Sequence, residues 1–126
     1  MGDLPKILHV EDDPDIREIA LMALEIVGGL EVAQCASGAE ALERAATEAP
    51  DLLLLDVMMP GMSGDETLAA LRRLDQFAET PAIFMTAKAQ QSEVERLRQI
   101  GARDVITKPF DPMTLADEIL AIWRRC

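Results

Sequence analysis

The run Leu52-Leu-Leu-Leu-Asp56-Val-Met-Met-Pro60 constrains this chain more than any other stretch. Four consecutive leucines leave no polar face, so a strand there must be covered on both sides. The run then ends on one carboxylate. Pro60-Gly61 and Ser63-Gly64 follow, so the chain stops being a strand just after Asp56. An acid at the carboxyl end of a buried strand sits at the mouth of a sheet, where α/β proteins take their ligands. A plainer reading, that Asp56 merely ends a strand, stands beside this one while the segment is taken alone.

The other segments supply the rest of such a sheet. Lys6 to Val10 reads as a strand that runs into Glu11-Asp12-Asp13, with Asp13 as N-cap and Pro14 as the first residue of a helix. Ile16, Ile19, Ala20, Ala23, Leu24 and Val27 recur at helical spacing until Gly28-Gly29. Leu30 to Cys35 is a second strand. Ser37 and Glu40 have the spacing of a capping box before a helix that runs to Ala49, and Pro50 ends it. Gly64 to Leu74 reads as a helix with Leu68 and Leu71 inward. Ala82 to Met85 is a strand closing on Thr86. Gln90 to Ile100 is a helix striped by Val94, Leu97 and Ile100. Asp104 to Thr107 is a short fifth strand before Lys108-Pro109. Asp111-Pro112 repeats the cap-then-proline start for a last helix through Leu115, Ile119 and Ile122.

Strands and helices thus alternate five times, which calls for parallel pairing with right-handed crossovers and helices on both faces. The expected fold is a doubly wound, flavodoxin-like α/β domain with a five-stranded sheet in the order 2-1-3-4-5. It spans residues 1–126 as a single domain. That order sets the carboxyl ends of the first and third strands side by side at the switch point.

Composition narrows the function. The 126 residues carry a net charge of −11, which disfavours direct nucleic-acid binding by this domain and suits a cation site. Hydrophobic residues make up 49% of the chain, enough for one core, and nothing reaches membrane-spanning length. Two cysteines, Cys35 and Cys126, are too few for a disulfide framework and fit a cytoplasmic setting. His9, inside the first strand, reads as a packed strand residue. Cys35 reads as core filler.

Polar residues close the strands. The first gives Glu11 and Asp12, the third Asp56, the fourth Thr86 and the fifth Lys108. In a parallel sheet these ends point the same way. Three carboxylates in one place repel unless a cation shares them, and hard oxygen ligands suit Mg²⁺. A hydroxyl and an ammonium beside them are what a phosphoryl group needs on its remaining oxygens.

With these residues the chain resembles the receiver domain of two-component response regulators over essentially its whole length. The matching segments are Ile7-Leu-His-Val-Glu-Asp-Asp-Pro-Asp15, Leu54-Leu-Asp-Val-Met-Met-Pro-Gly-Met-Ser-Gly64, Met85-Thr-Ala87 and Thr107-Lys-Pro-Phe110. The resemblance implies that Asp56 accepts a phosphoryl group from a phosphohistidine on a sensor histidine kinase or phosphotransfer protein. It implies Mg²⁺ held by Asp12, Asp56 and the backbone carbonyl of Met58, with Glu11 acting through water. Thr86 and Lys108 would hold the phosphoryl oxygens. The face of the fourth helix, fifth strand and fifth helix would then change for a downstream protein target, or for a second copy in a phosphorylation-dependent homodimer. Such a domain modifies only itself and is no enzyme in the turnover sense. One departure is Val105, at the position where the family often carries an aromatic residue on the fifth strand.

Two other readings use the same residues. A haloacid-dehalogenase-type phosphohydrolase also uses a strand-end aspartate with Mg²⁺, but it places a second acid two residues on, where this chain has Met58. Alternatively, the chain is the receiver portion of a longer DNA-binding regulator or hybrid kinase.

Overall fold

The computed structural model describes residues 4–88 and 90–125. Its strands are β1 (Lys6–Val10), β2 (Glu31–Cys35), β3 (Leu52–Asp56), β4 (Ala82–Thr86) and β5 (Asp104–Thr107). All neighbours pair in parallel, in the order β2-β1-β3-β4-β5. The helices are α1 (Pro14–Leu21), α2 (Gly38–Glu48), α3 (Gly64–Arg72), α4 (Gln91–Gln99) and α5 (Leu115–Trp123). The expected doubly wound sheet is the observed one.

The leucine run is the centre of it. Every residue of β3 is buried. Leu53 and Leu55 face one core, with Leu68 and Leu71 of α3 and Leu97 of α4, while Leu52 and Leu54 face the other, with Leu115 and Ile119 of α5. Burying a leucine side chain contributes roughly 2 kcal/mol, so this one strand anchors both layers. His9 is fully buried on β1, as expected of a packed strand residue. Cys35 is buried too, and burial pushes its thiol up to about 11, away from the reactive thiolate form. Cys126 lies outside the described residues.

Several local expectations shift. The helix that begins at Pro14 does not stay α-helical to Gly28: Met22–Val27 is a π-helical turn, closed by Gly28 N–H donating to the Ala23 carbonyl at 3.1 Å. The wider turn puts Ile26 and Val27 toward solvent and keeps Ala23 and Leu24 in the core. At α2, Ser37 Oγ accepts the Glu40 N–H, but the Glu40 carboxylate takes the Ala36 N–H, so the box closes one residue early. A complete capping box forms instead at Ser63 and Glu66, before α3. In α4 only Leu97 of the expected stripe is fully buried, and Ile100 is exposed. The last helix starts at Leu115 rather than at Pro112. The Asp111 carboxylate accepts from Met113 N–H in a local turn, which delays the helix by about one turn.

Candidate functional site

The strand order brings the carboxyl ends of β1 and β3 together, with β4 and β5 alongside. Val10 lies in register with Leu55, so Glu11, the next residue, emerges beside Asp56. Carboxylate oxygens of Glu11, Asp12 and Asp56 all fall within 4.8 Å of one another. Glu11 and Asp56 are buried, and Asp12 is half-buried. Lys108, just past β5, reaches across with its Nζ 2.8 Å from Asp56 Oδ1 and 3.2 Å from Glu11 Oε1. Its backbone N–H donates to the Thr86 carbonyl at 2.9 Å, which fixes the end of β5 against the end of β4.

Charge is crowded here. Burial pushes the Glu11 carboxyl up to about 7, and the neighbouring Asp56 charge adds to that. The Asp13 N–H, donated to Glu11 Oε2 at 3.2 Å, and the Lys108 ammonium pull the other way. Burial alone would draw Lys108 down, but its hydrogen bond to Asp56 and the two acids outweigh this and hold it above its usual value. One ammonium therefore serves two buried carboxylates, with Asp12 as a third acid.

Thr86 is buried at the end of β4. Its Oγ1 accepts the Lys88 N–H at 3.0 Å, which leaves its own O–H as a donor. Met58 sits on the loop after β3 with an exposed side chain, so the loop packs on Val57 and Met59 while Met58 stays at the surface. Gly61, at φ 77°, lets the chain turn back after Pro60. Gly64 then runs hard against the end of β3, where a Cβ would meet the Asp56 carbonyl at 2.1 Å. Only glycine lets α3 start there, so the expected Pro-Gly and Ser-Gly pair has a definite purpose beside the acid. Val105, on β5 opposite Phe84, packs as a partly buried residue against the α3–α4 core.

Glu11, Asp12, Asp56 and Lys108 thus lie together, and Thr86 ends the adjacent strand with its carbonyl bonded to the Lys108 main chain. Asp13 caps α1 as expected, its Oδ1 2.9 Å from Asp15 N, and Asp15 is exposed in the first turn. One contributor has no signal in the sequence pattern. Arg17, on α1, donates through Nη1 to the Glu11 and Asp12 carbonyls at 2.8 and 3.0 Å. Such bonds to main-chain oxygens leave no paired side-chain motif to read.

The site's donors are hard carboxylate oxygens on converging strands, and a cation other than Lys108 would relieve their repulsion. The residues present fit Mg²⁺ by that chemistry. Among the described residues no helix is long and apolar enough to cross a membrane.

Comparison with known proteins agrees with this geometry. The family model of the response regulator receiver domain matches residues 7–120. The transcriptional regulatory protein CseB of Streptomyces coelicolor is 38% identical over 125 residues, covering 99% of this chain and 52% of that protein. The phosphate regulon transcriptional regulatory protein PhoB of Pseudomonas aeruginosa is 38% identical over 119 residues, covering 94% of this chain and 52% of its own length. The chain spans about half the length of these curated relatives. Among solved structures, the chemotaxis protein CheY4 of Vibrio cholerae superposes with a TM-score of 0.87 at 32% identity, covering 95% of this chain and 99% of that one. The chain belongs to the response regulator receiver family, the phosphorylation-switched modules of two-component signalling.

Proposed function

We propose that Asp56 is the phosphoacceptor of this receiver and that residues 1–126 act as one signalling domain. The observation that carries the reading is the Lys108 ammonium 2.8 Å from Asp56 Oδ1, within a trio of carboxylates at the carboxyl edge of the sheet. In the reaction an Asp56 oxygen attacks the phosphorus of a phosphohistidine. The phosphorus–nitrogen bond breaks, its electron pair returns to the imidazole nitrogen, and that nitrogen takes a proton from water. Lys108, 2.8 Å from Asp56 Oδ1, would hydrogen-bond a phosphoryl oxygen on Asp56, and the Thr86 O–H would donate to another. Asp12, Asp56 and the Met58 carbonyl would hold Mg²⁺, with Glu11 reaching it through water. When bound, that ion offsets the charge that the acids and the phosphoryl oxygens bring together.

The donor is a sensor histidine kinase or a phosphotransfer protein, and the setting is cytoplasmic. The output is a protein partner, or a second copy, on the face formed by α4, β5 and α5, without direct nucleic-acid contact by this domain. The chain changes itself rather than turning over a substrate, because Met58 stands where a strand-end aspartate hydrolase would need its acid. Exposure to acetyl phosphate and Mg²⁺, followed by intact mass, tests this. One added phosphoryl group is expected in the natural sequence and none in Asp56→Asn. Equal labelling of the Asn variant would contradict the assignment.

A further inference from the structure

We propose that Arg17 is a positioning residue for the acidic loop that presents Glu11 and Asp12 to the cation. The inference rests on the reading of that trio as a Mg²⁺ site. Glu11 and Asp12 lie on the short link between β1 and α1, outside both elements. The structure supplies their restraints one by one. Glu11 N–H donates to the Cys35 carbonyl at 3.0 Å, which fixes the start of the link to β2. Asp13 N–H donates to Glu11 Oε2 at 3.2 Å. The carbonyls of Glu11 and Asp12 are then both taken by a single nitrogen, Arg17 Nη1, at 2.8 and 3.0 Å. That nitrogen has two hydrogens, one for each carbonyl.

Arg17 is itself held in place. Its backbone N–H donates to the Asp13 carbonyl at 3.0 Å within α1. Its carbonyl accepts from Gln34 Nε2, on β2, at 2.8 Å, and the same amide nitrogen lies 3.1 Å from His9 Nδ1 on β1. Two strands and a helix therefore meet in one residue, whose guanidinium sets the two peptide planes that aim the Glu11 and Asp12 side chains. A planar fork suits this task better than an ammonium on a flexible stem.

The sign of the effect separates this role from a purely electrostatic one. A guanidinium bonded to the main chain of Glu11 and Asp12 opposes a divalent cation there by charge, so removing it should tighten Mg²⁺ binding if charge were all that mattered. Positioning predicts the opposite. Groups that orient the direct ligands of a metal are typically worth 10- to 100-fold in metal affinity.

The test is a Mg²⁺ titration by amide NMR of the natural sequence, Arg17→Gln, Arg17→Lys, Asp12→Asn and Ile119→Val. Both Arg17 variants should bind Mg²⁺ about 10- to 100-fold more weakly. The amides of Asp12 and Asp13 should shift or broaden in them before any metal is added. Ile119→Val, a core truncation on α5, should lose thermal stability with its Mg²⁺ affinity unchanged. Equal or tighter binding in either folded Arg17 variant would overturn the proposal and leave Arg17 as a bystander charge. If Arg17→Gln does not fold, Arg17→Lys decides alone by the same criterion. Loss of the folded spectrum in both would also overturn it, in favour of a general structural role. A natural sequence that shows no Mg²⁺ response, like Asp12→Asn, would instead defeat the metal-site reading on which this rests.

Discussion

Two clusters of three charges sit at opposite ends of β5, and they share almost the same geometry. Past its carboxyl end, Lys108 contacts Asp56 at 2.8 Å and Glu11 at 3.2 Å. At its amino end, Asp104 contacts Arg98 of α4 and Arg125, just past α5, each at 2.9 Å. What differs is water. The side chains of Glu11, Asp56 and Lys108 are 1%, 4% and 17% exposed, whereas Arg98 and Arg125 are 55% and 65% exposed. In the first cluster one base serves two buried acids and charge is left over. In the second, two exposed bases flank one acid, Asp104, which is itself 20% exposed, and solvent screens both bases. Similar distances therefore carry opposite meanings. The buried cluster is held with excess negative charge that a further cation can relieve, while the surface cluster is a modest tie between α4, β5 and the end of α5.

Removing the base from the buried cluster should have the largest effect. Lys108→Met takes the ammonium from a buried acid pair and should cost at most about 3–5 kcal/mol at neutral pH without Mg²⁺, since Glu11 can take up a proton in its place. Urea unfolding measures this. A loss below about 1 kcal/mol would mean that the cluster is solvated like a surface pair.

The pH dependence should have opposite signs at the two ends. Glu11 titrates near 7 in the fold against an ordinary value of 4.5. The folded state thus holds more protons between those values, and this contribution to stability is full below about 4.5 and lost as pH rises through 7. Glu11→Gln should remove a falling slope of at most about 1.4 kcal/mol per pH unit in that window. Urea midpoints taken from pH 5 to 8 in metal-free buffer show it. An unchanged slope in the variant would place the titration elsewhere.

Asp104 runs the other way and more weakly. Burial alone would raise it, but the Val105 N–H, Arg98 and Arg125 hold it below its usual 3.8. Its contribution is present above pH 3.8 and is lost as pH falls further. Asp104→Asn should cost less than about 1 kcal/mol at pH 7, the range of exposed pairs, and that cost should shrink with added salt. A larger, salt-independent loss in urea unfolding would make the two clusters energetically alike.

What the sequence makes legible follows the same division. Four of the five strands could be read from apolar residues that end abruptly in polar ones, and Glu11, Asp56, Thr86 and Lys108 are those endings. Their convergence follows from parallel order alone. The readings that failed depended on main-chain partners. Glu40 had the right spacing for a capping box, yet its carboxylate chose the Ala36 N–H. Asp111 had the right neighbour for a helix cap, yet it closed a turn onto Met113. The π-helical turn at Met22–Val27 keeps an apolar composition that a regular helix would also have. Arg17 was silent for the same reason, since both of its acceptors are carbonyl oxygens, which every residue carries.

The central claim is that the buried cluster exists to place a phosphoryl group on Asp56. After treatment with acetyl phosphate and Mg²⁺, borohydride reduces an aspartyl phosphate to homoserine, and peptide mass spectrometry locates that residue. The account predicts homoserine at position 56, dependent on Mg²⁺, with Asp12, Asp13, Asp15 and Asp104 unchanged. Homoserine at any of those positions, or at none in a folded and Mg²⁺-bound protein, would contradict it.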